Sequence, residues 1–519
     1  MTDKPRWFQT TAIDYPNSRP HIGTAFEKLG ADVQARYRRM EGYDVFFLMG
    51  NDENTVKVSD RAAELGQDTK AYCDDMARQF QEVWKALDID YDIFVQTSSE
   101  RHKQCCRKFI TKVYENGYIY KGTYEGWYCA GCEEFKSDKL HAENAGLCPN
   151  HKKPLVRRSE PCWYFKLSAF QDRLLAYLKE NPGFVQPESR RNEMIGFIEA
   201  EGLQDLNISR HGEKWGIPIP FDPEFTIYVW FDALLTYITG IGYGDDEATF
   251  RKYWPADVHF IGKDITRFHT HIWPAMLWAA GEEPPRLVFS HGFVNNNGQK
   301  MGKTLGNIVD PITIIQKSNV DAYRYFFMRE CPYPGDGDYS GQRYEEVYES
   351  DLVRKLGNLL SRCATLAIKS YDKVLTGTAN RAPAPVVPTL DLRQFVQTVR
   401  GHVEGCRYNA ALGVIVQDLL IPTDAYLETH KPWVQVKTDL AAAKEVIFNA
   451  THILRVASIL LKPFIPRSAE AIYASFNFPK PWAEVTYADA AVLSPQPEDL
   501  RVTAELVDGK PKPLFPRIG

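Results

Sequence analysis

Thr11-Ala12-Ile13, then Pro20-His21-Ile22-Gly23-Thr24, then Asp44-Val45-Phe46-Phe47-Leu48-Met49-Gly50: this passage near the start of the chain decides the fold. From residue 22 the apolar positions Ile22, Phe26, Leu29, Val33, Tyr37 and Met40 recur at helical spacing, and residues 44–50 read as a fully buried strand. That is strand, helix, strand. The pattern returns downstream in 226–231, 258–262, a helical stretch and 286–290. Strands apolar throughout, rather than alternating, are buried on both faces, so the expectation is an α/β protein whose parallel sheet is covered by helices on both sides.

The junction before the helix has a chemical reading. His21 and Gly23 fall at a helix N-terminus, where N–H groups without helical partners and the helix dipole favour an anion. Far downstream, Lys300-Met301-Gly302-Lys303-Thr304 follows Val294-Asn295-Asn296-Asn297-Gly298, a hairpin-turn composition, and sets two lysines three residues apart. Such a pair suits a charge-assisted clamp on a polyphosphate. Either segment alone reads as an ordinary loop; together, each behind a strand-like run, they point to nucleotide chemistry. A P-loop does not fit, because Gly302-Lys303-Thr304 needs a glycine where the chain has Asn297, and Gly298 is one residue off.

A chain of 519 residues exceeds one core, and roughly three or four domains are expected. The composition, 44% hydrophobic and 25% charged, is that of an ordinary soluble protein. No apolar run approaches the roughly 20 residues of a membrane span, and residues 1–6 lead into the first strand without a leader-like apolar segment, so a cytoplasmic setting is expected. A net charge of −5 argues against indiscriminate coating of nucleic acid, while leaving room for a local basic face.

The expected organisation is a first sheet half over residues 1–117, an insertion over 118–222, a second sheet half over 223–337, a helical bundle over 338–490 and a strap over 491–519. The insertion is marked by aromatic, cysteine- and proline-containing sequence. In the bundle, Leu352, Leu356, Leu359, Leu360 and Cys363 share one face, and a Pro/Ala linker runs over 382–388.

Ten cysteines, mostly irregularly spaced, do not make a disulfide framework. One cluster differs. Cys129-Ala130-Gly131-Cys132 and Cys148-Pro149-Asn150-His151 are two pairs of donors, each separated by two residues, as a closed tetrahedral structural zinc site requires. His141 and Cys162 are less well-spaced substitutes. A thioredoxin-like role for the first pair leaves the second unexplained.

In ordered series the chain resembles the class I aminoacyl-tRNA synthetases of the methionyl type over nearly its whole length. The resemblance rests on residues 12–17 before His21-Ile22-Gly23, on Gly50-Asn51-Asp52-Glu53, the zinc pairs and residues 215–220. It continues through Tyr228-Val229-Trp230-Phe231-Asp232-Ala233, Gly262-Lys263-Asp264-Ile265, Phe268-His269, residues 273–277, His291-Gly292-Phe293-Val294, residues 358–362 and Lys431-Pro432-Trp433. It implies a Rossmann-type catalytic domain split by a zinc-binding insertion and followed by an all-α anticodon-binding bundle. The implied activity is ATP-dependent attachment of L-methionine to its initiator and elongator tRNAs through methionyl-adenylate, with Mg2+ accompanying ATP, one structural Zn2+ and no membrane.

Carried over by position, the resemblance places Ala12, Ile13, Tyr15, Trp230, Ala233, Tyr237 and His269 around methionine, with Asp52 on its ammonium group and Arg210 as the ion-pair partner of Asp52. His21, Gly23, Thr24, Lys300 and Lys303 would serve catalysis; Gly262, Asp264, His291, Gly292 and Val294 join His21, Gly23 and the lysines around ATP. Gly292 and Val294 are expected against adenine. Asn358, Arg362 and Trp433 would read the anticodon, and Cys129, Cys132, Cys148 and His151 would hold zinc. A thioether suits aromatic walls, with a hydroxyl or ring nitrogen to mark the sulfur.

Three positions depart from the family pattern. Thr24 replaces a second histidine and offers a neutral hydrogen bond without positive charge. The lysine loop carries Gly302 where a serine is usual, and Leu234 stands where proline is common. Thr24 makes a tRNA-binding paralogue without catalysis the alternative from another class; synthetases for leucine, isoleucine, valine or cysteine are the alternatives within it. A monomer is expected.

Overall fold

The computed structural model describes residues 4–129, 134–136, 138–149, 152–302, 305–375, 386–387, 390–493 and 500–518. Six strands form the central sheet: β1 (Arg6–Thr11), β2 (Asp44–Asn51), β3 (Ile93–Gln96), β4 (Val185–Gln186), β5 (Val258–Gly262) and β6 (Val288–His291). Their spatial order is β3-β2-β1-β5-β6-β4 and every pairing is parallel.

The uninterrupted apolar strands follow from burial on both faces. Along β2, Phe47 and Met49 enter one core while Leu48 enters the other; Phe260 and Ile261 of β5 divide in the same way. Each such side chain contributes about 1.5–3 kcal/mol of burial, which an alternating polar pattern would forfeit on one side. Helix α1 (Ile22–Met40) crosses from β1 to β2, and all six apolar positions of the predicted stripe are buried.

One predicted strand is corrected. Residues 226–231 do not continue the parallel sheet: Asp222–Ile227 is an antiparallel strand paired with Ser209–His211, and Val229–Leu234 is helical. Apolar runs this short do not distinguish strand from buried helix, and here Tyr228 caps a helix instead.

Between β3 and β5, strands Ile119–Cys129 and Val156–Phe165 form an antiparallel ladder flanked by Glu134–Lys136 and Leu206–Asn207. The same stretch supplies β4 to the edge of the central sheet. Beyond Gly337–Tyr339 the chain is mostly helical, and Leu352, Leu356, Leu359, Leu360 and Cys363 are buried together. Of the 382–388 linker only Val386 and Val387 are described. Residues 500–518 return along the helices, where Tyr348 Oη donates to the Pro516 carbonyl.

Residues from Arg324 onward grip α1. Tyr333 Oη donates to the Glu27 carbonyl (2.9 Å) and Tyr408 Oη to that of Gly30 (2.8 Å). A Cβ on Gly30 would lie 2.1 Å from the Tyr333 ring, so the close approach requires glycine here. Arg324, fully buried, pairs with Asp32 of α1 (2.6 Å) and donates to the carbonyls of Leu87 and Phe464. The helix Tyr408–Gln435 is long and apolar enough by composition to pass as a membrane span, contrary to the sequence expectation. Its apolar residues Leu412, Ile415, Val416 and Leu419 are instead packed in the protein core.

Candidate active site

A cavity of about 440 Å³ opens where the sheet order reverses, beyond the C-terminal ends of β1 and β5. This is where open α/β sheets leave a crevice for ligands. Its walls bring together residues from both ends of the chain: Ala12, Ile13 and Tyr15 after β1, His21, Gly23 and Thr24 at α1, Asp52 after β2, and Trp230, Ala233, Tyr237 and His269 from the second half. Gly262, Asp264, His291, Gly292, Val294 and Lys300 complete it. Lys303 lies outside the described residues.

The phosphate end is built differently from the expectation. The backbone donors at the start of α1 are already used: Ile22 N–H bonds the Val309 carbonyl (3.0 Å), and those of Gly23 and Thr24 bond His21 Nδ1 (3.0 and 3.3 Å). His21 caps the helix with its own ring, which in the neutral tautomer puts the proton on Nε2. The backbone N–H groups of Ile22, Gly23 and Thr24 are therefore committed within the protein. Gly23 is needed for that cap, since a Cβ there would lie 2.9 Å from His21 Cε1. It would also lie 3.1 Å from Met301 Cε, so the lysine loop meets the first segment directly.

The loop is anchored behind Lys300. Asn297 and Gly298 have φ of 51° and 74°, and Asn296 and Gln299 exchange backbone hydrogen bonds across them, the tight hairpin that the composition announced. Asn307 accepts from Gly302 N–H (2.9 Å) and donates to the Lys300 carbonyl (3.1 Å). The Lys300 ammonium lies 5.2 Å from the Phe293 ring centre. Gly292 lines the cavity and packs against the protein as well: a Cβ there would meet the Gly335 carbonyl oxygen at 1.9 Å.

Beneath the phosphate end lies a cluster that sequence reading missed. Lys28 Nζ pairs with Glu27 (2.6 Å) and Asp14 (3.0 Å) and donates to the Ala12 carbonyl (2.8 Å). His291 Nε2 meets the other Glu27 oxygen at 2.8 Å. Burial would raise the Glu27 carboxyl, but Lys28 and His291 outweigh it and hold it below its ordinary value. Asp14, where burial outweighs Lys28, is pushed up to about 6. The available signal was a Glu-Lys pair between Phe26 and Leu29 on a helix buried nearly all round.

The opposite end is aromatic. Trp230 stacks on Phe268 (3.9 Å) and meets Tyr15 edge-on (6.3 Å). His269 sits on a π-helical turn, Phe268–Ile272, ahead of Pro274. Its Nδ1 donates to the Ile265 carbonyl (3.0 Å), so Nε2 accepts from Tyr237 Oη (2.7 Å). Burial pushes His269 down to about 4 and keeps it neutral.

Asp52 faces this end with a buried Oδ1 that has no hydrogen-bond partner. Its expected ion pair with Arg210 is corrected: Arg210 is exposed, lies over the Tyr228 ring at 4.0 Å and donates to the Ser209 carbonyl. Asp232, fully buried within the apolar run around Trp230, was not assigned a role from sequence; an acidic residue in that run was the missed signal.

Comparison with known proteins decides the family. The sequence family described as "tRNA synthetases class I (M)" matches residues 7–157 and 150–364, and "Anticodon binding domain of methionyl tRNA ligase" matches 389–505. The chain belongs to the methionyl class I tRNA synthetases. It is 41% identical to a Methionine--tRNA ligase of Caldanaerobacter subterraneus over 473 residues, covering 91% of this chain and 74% of that one. With the ligase of a Nostoc species it shares 38% over 517 residues, 98% and 96% of the two chains. Mycobacterium tuberculosis methionyl-tRNA synthetase bound by methionyl-adenylate superimposes with a TM-score of 0.87 at 34% identity, over 98% of this chain and 100% of that one.

The other positions that the synthetase resemblance singled out lie elsewhere. Arg362 and Trp433 line a shallow cavity together, the guanidinium 5.1 Å from the indole, and Arg362 also pairs with Asp424 (3.1 Å) and Glu428 (2.8 Å). Asn358 opens one turn away into a separate recess against Pro511, Pro513 and Phe515. Cys129 and Cys148 are buried in one small cluster with Leu155, against Trp127. Cys132 and His151 lie outside the described residues, and among those described no three donors are arranged around a metal position. Of the substitutes, His141 stacks on Trp127 at 3.6 Å and Cys162 is buried in the antiparallel sheet opposite Gly122.

Proposed function

We propose that this cavity activates L-methionine with ATP and passes the methionyl group to tRNA. The observation that carries the reading is the cavity itself: an aromatic cage, a buried carboxylate without a protein partner, and the phosphate-facing groups His21 and Lys300 share one space. A methionine carboxylate oxygen attacks the α-phosphorus of ATP, and the bond to the leaving pyrophosphate breaks. The 3′-terminal ribose hydroxyl of tRNA then attacks the adenylate carbonyl and AMP departs.

The protein's part is positioning and charge stabilisation. His21 Nε2–H and Thr24 serve the phosphates, with Lys300 and Lys303 on the departing pyrophosphate. Gly262, Asp264, His291 and Val294 border the nucleotide, while Tyr15, Trp230, Ala233 and Tyr237 enclose the thioether. Because His269 Nε2 is committed to Tyr237, the hydroxyl left to mark the sulfur is that of Tyr15. Mg2+ bound with ATP shields its phosphate charge.

Arg362 and Trp433 form an anticodon surface, where the indole offers a stacking face, and Asn358 extends it. The donor chemistry of the buried Cys129 and Cys148 thiols fits structural zinc, with Cys132 and His151 as the second member of each pair. That zinc is measurable as about one atom per chain by elemental analysis, and its loss in Cys148→Ser would accompany a lower unfolding temperature.

ATP–pyrophosphate exchange tests the reading. Methionine supports exchange while leucine, isoleucine, valine and cysteine do not, and Lys300→Ala lowers the rate by about 100-fold or more. Absence of methionine-dependent exchange would leave only the tRNA-binding paralogue.

A further inference from the structure

The strap after residue 500 builds one wall of a second recess on the helical region. The match to the anticodon-binding family ends at residue 505, and residues 511–517 lie beyond it along the start of the helix Asn358–Tyr371. There Pro511, Pro513, Leu514 and Phe515 face Asn358 and Ser361 across a recess of about 260 Å³. The wall is held in place by the protein itself. Asp508 and Gly509, with φ of 51° and 73°, turn a short hairpin that pairs Leu506 with Pro511 and Val507 with Lys510. Phe515 is 4% exposed and meets Tyr348 edge-on at 6.2 Å, and Lys512 N–H donates to the Glu505 carbonyl (2.9 Å). A wall already ordered adds little conformational cost to binding.

The recess continues a surface already described. Ser361 lines both it and the cavity of about 360 Å³ that holds Arg362 and Trp433. Asn358, Ser361 and Arg362, three and four residues apart, share one helix face. The helix rises about 6 Å from Asn358 to Arg362, against roughly 3.4 Å between stacked bases of one strand. Neighbouring nucleotides therefore enter the two recesses splayed apart, with their base edges open to side chains.

The lining suits a nucleotide. The proline rings and Leu514 give a base an apolar face. Among the described residues the Asn358 amide and the Ser361 hydroxyl make no side-chain hydrogen bond, so both are available to a base edge. Of the charged groups at the recess, Arg354 donates to Glu349 (3.0 Å), while Arg517 is exposed and forms no ion pair among the described residues. Arg517 is thus the cation left for a phosphate.

Resting on the reading of Arg362 and Trp433 as an anticodon surface, we propose that residues 511–517 form the second wall of that surface. The recess receives the nucleotide next to the one stacked on Trp433, and Arg517 donates to a phosphate of the same single-stranded loop.

Binding of a fluorescent hairpin RNA carrying the methionine anticodon loop to the full chain, titrated between about 50 and 200 mM salt, tests this. Arg517→Ala weakens binding by about fivefold or more and lowers the slope of log affinity against log salt by about 0.7, the share of one phosphate contact on a single strand. Arg517→Lys keeps the wild-type slope. Trp433→Ala, measured in parallel, weakens binding through loss of its stacking face. Unchanged affinity and slope in Arg517→Ala, with binding weakened in Trp433→Ala, overturns the proposal and leaves the anticodon surface standing. Weaker binding of Arg517→Ala at an unchanged slope also overturns it, because no phosphate contact was lost. Wild-type binding by Trp433→Ala refutes the anticodon surface itself.

Discussion

The two ends of the cavity hold buried charge in opposite ways. At the phosphate end, Lys28 supplies a cation to Glu27 (2.6 Å) and Asp14 (3.0 Å) and His291 bonds the other Glu27 oxygen (2.8 Å), a network whose charges are paired within the protein although Asp14 Oδ2 makes no hydrogen bond. At the amino-acid end, Asp52 lines the cavity with a carboxylate oxygen that has neither a donor nor a cation among the described residues. Closed networks hold shape, since removing one member leaves an uncompensated buried charge. Open ones hold affinity, since the missing partner is what the ligand supplies.

The largest expected effect breaks the closed end. Lys28→Met removes the cation from between two acids and should lower the unfolding free energy by about 3–5 kcal/mol in urea titrations. Wild-type stability in that variant would erase the distinction between the ends.

Asp52→Asn tests the open end, with the opposite pattern. Methionine binding should weaken by about 2–5 kcal/mol, while the ligand-free protein should be as stable as the wild type or up to ~1 kcal/mol more so. A variant that lost stability as Lys28→Met does would show that the two ends are built alike.

His269, beside the open end, gives the comparison a pH axis. The native ring is pushed down to about 4, whereas the unfolded chain takes up its proton near the ordinary value of 6.5. Proton uptake therefore favours the unfolded state between those limits, and stability falls as pH drops through that window. The contribution is up to ~3 kcal/mol, and His269→Gln, which keeps an acceptor for Tyr237, should flatten that part of the profile. An unchanged acid limb would contradict the neutral, buried assignment.

The smallest effect comes from outside the cavity. Arg362 pairs with two acids as Lys28 does, but its side chain and theirs are 30%, 42% and 51% exposed. Arg362→Met should change stability by no more than about 1 kcal/mol, leave ATP–pyrophosphate exchange intact and raise the KM for tRNA. A stability loss as large as that of Lys28→Met would make burial irrelevant to the contrast.

Two parts of the site were legible in their own local sequence, His21 before α1 and Lys300 behind the hairpin, while Ala12, Tyr15, Trp230 and His269 were reached through the family resemblance; the structure places all six on one cavity. What was misread concerns partners. The start of α1 was expected to offer backbone N–H groups to an anion, but whether His21 turns its ring back onto them depends on the space at Gly23 and on Met301 nearly 300 residues away. Arg210 was matched to Asp52 by family position, while the strand that carries it aims it over Tyr228. Residues 226–231 are apolar enough for strand or helix, and pairing with Ser209–His211 divided them between the two.

By itself the sequence determined the alternation of strand and helix, the two buried faces of the sheet, and the residue types available to the site, because periodicity and local steric preference act over a few residues. Only the tertiary structure decided that an edge strand from the insertion joins the central sheet, which acids near the cavity have cations and which do not, and that α1 is clamped by Tyr333, Tyr408 and Arg324. The reason is physical: the energy of a buried charge or a close backbone contact is set within a few ångströms, and those neighbours come from parts of the chain hundreds of residues apart.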